Sequence, residues 1–353
     1  MNDQLMNVIM NYAKLALACS GSIVAYFYMQ KSTAEFVLKK MQTPKDISKV
    51  SMPPELKQKY NSVDIERIKS QKIKEIIVEF SNEMAKSFPP EALTNFYNNI
   101  NNLNIKNNVG IFFIISAKGT YYCKKNELGY TKLNVLYHEL FHMASSFYDK
   151  ERDIEFSGFK QLAHGLKGQA IGHGITEGYT ELLTQRYFGK KHDLPKAYKF
   201  EVGIVEKLEQ IVGSDEMKKL YLGANLKGLI ENLKQYSSKE KIMRFINDVD
   251  LVNGSYQLIM LKSNMIQNRI RTSYMFLLNA YITKLVKQIE MGAMTFDEYV
   301  VKITEFVNSF GTSTKLSGNT YNYFTEGILR DIIKDVTNPN KILNKDDNSG
   351  LKK

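Results

Sequence analysis

From Leu133 almost to the C-terminus, apolar residues recur every three or four positions, and this period restricts the second half of the chain to packed helices. Leu133, Leu136, Tyr137, Leu140 and Phe141 share one face of the first such segment. Further helices are expected over Ile175–Tyr187, Ala197–Ile211, Leu220–Leu233, Tyr256–Ile289 and Phe296–Phe310. Lys262, Arg269, Arg271 and Lys284 interrupt the long stretch from Tyr256, which marks it as a core helix or helix pair and not a membrane span. Upstream, Ile65, Ile68, Ile73, Ile76, Ile77, Phe80 and Met84 define an amphipathic helix that closes at Phe88-Pro89-Pro90. Strand character is concentrated in Val109–Ile115, a short apolar run, with Gly119–Cys123 as an expected pairing partner. No further strong strand is expected downstream. The fold class is therefore α+β and mostly helical, with a small β-sheet and a helical C-terminal region.

With 353 residues, 43% of them hydrophobic, the chain can bury a sizeable core. We divide it into an apolar N-terminal segment (1–40), a core with the small sheet (41–190), a helical C-terminal subdomain (191–337) and a polar, Asn/Lys/Asp-rich tail (338–353) expected to be disordered. Cys19 and Cys123 are the only cysteines and build no disulfide framework. Residues 8–29 are apolar except at a few positions, and become long enough to reach across a bilayer only if Lys14 snorkels. A membrane anchor, a buried or interfacial helix and a cleaved signal all remain open for that segment, as does the location of the protein. The net charge of +11 raises the question of an anionic partner, yet only seven of the 48 basic residues are Arg. Because bidentate phosphate and base recognition leans on Arg, the Lys excess reads as solvated helix faces, and no nucleic-acid partner is expected.

The chemistry-bearing run is His138-Glu139-Leu140-Phe141-His142. On a 3.6-residue period the two imidazoles leave the same face one turn apart, as a shared metal ion requires. Glu139 stands beside them, where a carboxylate can take a proton from a water acidified by zinc. Three fixed positions of this kind arise by chance about once per hundred chains of this length, given ordinary residue usage. The bland alternative makes both histidines satisfied core residues and Glu139 a surface acid.

A catalytic zinc needs a third protein ligand. A histidine ten positions after His138 is excluded, because Tyr148 stands there. The better segment is Ile175-Thr176-Glu177-Gly178-Tyr179-Thr180-Glu181, a helix following the Gly-rich stretch Gly165–Gly174. Glu177 is the expected ligand, with Gly178 beside it allowing close backbone approach, and Glu181 is its rival. One turn on, Glu181 can alternatively fix the tautomer of a ligand histidine. His164 and His173 in the Gly-rich stretch are further candidates, whereas Glu151 and Glu155 are expected to face solvent. A donor for a tetrahedral oxyanion is also needed, and His173, Tyr179, Tyr187, Tyr321 and Tyr323 are chemically able. With 21 tyrosines, the sequence does not choose.

His138, Glu139, His142 and Glu177, with Glu181 four residues later, resemble the gluzincin class of zinc peptidases, which includes thermolysin-like and neprilysin-like enzymes. The resemblance covers about fifty residues, Tyr137 to Arg186, and implies a zincin-like catalytic core. It implies Zn2+ held by His138, His142 and Glu177, Glu139 as the general base, and a peptide or protein substrate. A scaffold or membrane-associated protein with a structural metal, or none, is the alternative.

Overall fold

The structure is a computed structural model that describes residues 68–107, 119–164, 169–255, 264–316 and 319–339. The apolar segment 8–29, the run Val109–Ile115 and the tail 340–353 lie outside the described residues. Helix α1 (Gln71–Ser87) buries Ile73, Ile77, Phe80 and Met84, successive positions of one helical stripe. It stops at Phe88, which is extended because Pro89 follows it. A short 3-10 turn (Pro90–Leu93), helix α2 (Thr94–Ile100) and strand β1 (Asn104–Asn107) lead to β2 (Gly119–Tyr122) and β3 (Glu127–Tyr130). These strands form a sheet in the order β1-β3-β2, with β1 parallel and β2 antiparallel to β3. The described partner of Gly119–Tyr122 is thus β3, a strand the apolar pattern does not mark because it is four residues long and contains Gly129.

Helix α3 (Leu136–Ala144) follows, then an antiparallel meander of β4 (Ser146–Asp149), β5 (Ile154–Ser157), β6 (Lys160–Ala163) and β7 (Gln169–Ile171). The expectation of no further strand is therefore wrong. All four residues of β5 are buried, so both faces are covered and the apolar/polar alternation that identifies a half-buried strand is lost. Glu155 is buried in β5, contrary to its expected exposure, whereas Glu151 is exposed on the turn before it. Gly158 turns the two-residue β5–β6 connection at φ +58°, and a Cβ there would lie 2.5 Å from the ring of Tyr221.

Helix α4 (His173–Tyr187) is buried continuously from Gly174 to Thr184. Its polar residues tolerate this because Thr176, Thr180 and Thr184 donate their hydroxyls to the carbonyls of Gly172, Thr176 and Thr180 at 2.7–2.8 Å. Helix α5 (Lys199–Val212) approaches α4 so closely at Gly178 that a Cβ would stand 2.5 Å from the backbone of Glu201. The remaining helices are α6 (Ser214–Leu222), α7 (Leu226–Leu233), α8 (Lys239–Ser255), α9 (Asn264–Glu290) and α10 (Phe296–Asn308). The hairpin of β8 (Ser313–Leu316) and β9 (Asn319–Asn322) and helix α11 (Glu326–Val336) complete the described chain. The segment Leu220–Leu233 is two helices, broken at Gly223-Ala224, where Ala224 takes φ +50°. Among the described residues no helix is long and apolar enough to cross a membrane. The fold is α+β and mostly helical, and buried side chains from Ile73 to Phe324 form one contiguous core.

Candidate metal centre

Helix α3 divides its side chains between two tasks. Phe141 packs edge-on against Phe80 of α1 with ring centroids 5.0 Å apart, and Tyr137 stacks on Phe188 just beyond α4. This apolar face holds α3 in place, so His138 and His142 are presented to α4. Beneath them, Tyr221 ties the two helices through Thr180, at 2.6 Å, and Ser145.

The structure brings His138, His142 and Glu177 together. His138 Nε2 lies 3.2 Å from His142 Nε2 and 3.3 Å from Glu177 Oε2, and His142 Nε2 lies 3.5 Å from Glu177 Oε1. Donors about 2.1 Å from a tetrahedral ion sit about 3.4 Å from one another, and each imidazole nitrogen lies near that distance from the other and from one of the two Glu177 oxygens, Oε2 for His138 and Oε1 for His142. The three residues form a group able to hold a metal ion. Glu181 takes the other side of His138: its Oε2 accepts from Nδ1 at 3.2 Å, which leaves Nε2, on the side of His142 and Glu177, as the nitrogen free to bind a metal whenever His138 is neutral. Glu181 Oε1 in turn accepts from Gln185 Nε2 (3.0 Å) and the Ala197 amide (3.2 Å). Of the two rival glutamates, Glu177 faces both imidazoles and Glu181 backs one of them.

The other candidates separate cleanly. His173 points its Nε2 at Glu177 Oε1, 2.9 Å away, from a more exposed position. His164 lies with Glu155, 3.5 Å away, and belongs to the meander. Tyr179 donates to Glu209 in a network with Arg186, which makes it a packing residue. The tyrosine at the site is Tyr198, absent from the sequence candidates. Its ring stacks on His138 at 5.8 Å and 22°, and its hydroxyl hydrogen-bonds Glu177. Tyr198 takes φ +53°, unusual for a bulky residue, at the end of a loop pinned by Ala197 to Glu181. Nothing local in the sequence singles it out from the other tyrosines, because a ten-residue loop carries it back to α3.

Charge at the site is unbalanced by ordinary standards. Glu139, Glu177 and Glu181 are all buried, and the ion pairs that Glu177 and Glu181 make among the described residues come from histidines alone. Burial would depress His138, but the Glu177 and Glu181 carboxylates on its two nitrogens raise it to about 10. Burial would likewise raise Glu177, yet His142, His138 and His173 hold it well below the usual carboxylate range. Buried carboxylates of this density need a positive charge, supplied either by a proton on His138 or by a cation among the three donors. Glu139 differs: burial dominates and raises it, although both histidines pull the other way, and the Tyr121 amide of β2 donates to it. Gly119 leaves it room, since a Cβ there would lie 2.4 Å from Glu139 Cγ.

No protein family, no curated protein and no solved structure matches the chain.

Proposed function

We propose that the protein is a zinc-dependent peptidase with a zincin-like core of the gluzincin pattern. The observation that carries this reading is the group of His138, His142 and Glu177, whose ligand atoms lie within 4.8 Å of one another, beside a separate buried carboxylate, Glu139. Three protein donors leave a fourth position for water or substrate, which supports a catalytic over a structural ion. Zinc there would supply Lewis acidity at a peptide carbonyl and lower the pKa of a water to about 7.

The chain's own residues then divide the work. Glu139, raised by burial, is suited to accept that water's proton on a carboxylate oxygen and to pass it to the leaving amine. Tyr198, whose hydroxyl donates to Glu177, would meet a developing oxyanion by turning that one proton from Glu177 to the substrate. Glu181 keeps His138 in one tautomer and orientation. Strand β2 lies at the edge of the described three-stranded sheet and its Tyr121 amide reaches Glu139, so an extended peptide laid along it brings a scissile bond to the base.

Glu139→Gln tests the assignment. The variant is expected to bind one equivalent of zinc and to cleave no peptide, whereas His142→Ala loses the metal. Full peptidase activity in Glu139→Gln, or wild-type protein that binds no stoichiometric zinc, refutes it.

A further inference from the structure

Helix α4, which carries Glu177, begins without a local cap. Its N-cap is Gly172 at φ +76°, which has no side chain to receive the amides of the first turn. A carboxylate from a remote helix fills that role. The Gly172 N–H donates to Asp250 Oδ2 and the Gly174 N–H to Oδ1, both at 2.8 Å, and the His173 amide donates as well. The contact is close on both sides: a Cβ on Gly174 would lie 2.8 Å from the carbonyl oxygen of Val249, the residue before Asp250.

The helix that delivers Asp250 is itself clamped. Two residues before it, buried Asp248 receives Arg269 and Thr272 of α9, and three residues after it Asn253 donates to buried Glu201 of α5 at 3.1 Å. Helix α8 is thereby tied on both sides of Asp250, to α9 and to α5, so that the loss of one tie leaves the Asp250 carboxylate in place against the first turn of α4. That turn contains His173, and Glu177 follows one turn later on the same face, 2.9 Å from its ring nitrogen.

We propose that Asp250 is a positioning residue for the metal centre: it caps α4 from outside and so fixes where Glu177 meets His138 and His142. The proposal rests on the metal-site reading. A carboxylate is suited to the task because both of its oxygens accept, whereas a carboxamide offers one acceptor and would turn an N–H₂ toward a backbone N–H. The negative charge also lies at the positive end of the helix dipole.

Cobalt(II), titrated into metal-free full-length protein and followed by its visible absorption, separates this role from a merely structural one. Asp250→Asn is expected to weaken cobalt binding by about 10- to 100-fold, the usual effect of removing a group that orients ligands, and to change the absorption bands. Asp248→Asn loosens the same helix from Arg269 without touching α4 and is expected to leave affinity within about twofold of wild type. Wild-type affinity in Asp250→Asn, or an equal loss in both variants, overturns the proposal. If wild-type protein binds no cobalt, the metal reading fails on its own. Amide exchange of the metal-free variants then decides whether the cap exists, since protection over residues 172–177 should fall in Asp250→Asn and persist in Asp248→Asn. Unchanged exchange there overturns the cap too.

Discussion

Gly119→Ala probes the site from a residue that binds neither metal nor substrate side chain. An alanine Cβ at this position would stand 2.4 Å from Glu139 Cγ, 2.6 Å from Oε1 and 2.8 Å from Cδ. Carbon atoms in contact prefer about 3.5–4.0 Å, so Glu139 must retreat by about 1 Å. It has little room to do so, being 6% exposed on a helix locked by Phe80 and Phe188. If the carboxylate holds its ground, the overpacking costs about 1–3 kcal/mol of stability. If it yields, a base misplaced by about 1 Å loses about 100-fold in turnover, equivalent to about 2.7 kcal/mol of barrier. The ligands on α3 and α4 are untouched, so zinc stoichiometry is expected to stay at the wild-type value. The assay pairs metal analysis with cleavage of an unstructured, fluorescently labelled protein, with Thr120→Ala at the neighbouring exposed position as a control expected to match wild type. Gly119→Ala that binds zinc, turns over within about threefold of wild type and unfolds at the wild-type denaturant midpoint refutes the placement of Glu139 against Gly119 as the base.

Two further outcomes follow from the same geometry. Tyr198→Phe removes the hydroxyl at Glu177 and keeps the ring on His138, so turnover is expected to fall about 100-fold, with a much smaller change in zinc affinity; steady-state kinetics showing only a KM effect refutes a transition-state role. In metal-free protein His138 is raised from 6.5 to about 10, so the stability it contributes is fully present below pH 6.5 and is lost as pH rises through 10. Denaturant midpoints should decline across that window, and zinc, which displaces the proton, should bind more tightly as pH increases toward 10. A midpoint and a zinc affinity both flat between pH 6.5 and 10 contradict the buried His138–Glu177–Glu181 arrangement.

What the sequence determined by itself is what depends on neighbours along one element. The helical period places His138 and His142 on one face of α3, separates Glu177 from Glu181 by one turn of α4, and marks the apolar stripes of α1, α5 and α10, because those relations are set by the pitch of a helix alone. Short strands escaped for the converse reason: β5 and β6 are four residues each, β5 is buried on both faces, and β6 buries Gln161 while leaving Leu162 only half-buried, so neither shows a period to read. Only the tertiary structure decided which glutamate faces the imidazoles, since that depends on how α4 rolls against α3 and α5, with Gly178 lying on the backbone of Glu201. It alone brought in Tyr198 through a returning loop and Asp250 through a helix more than seventy residues away, as Gly172 bonds Asp250 across 78 positions. Those contacts join groups distant along the chain, and no spacing rule encodes them. Packing and the need of buried carboxylates for partners select them.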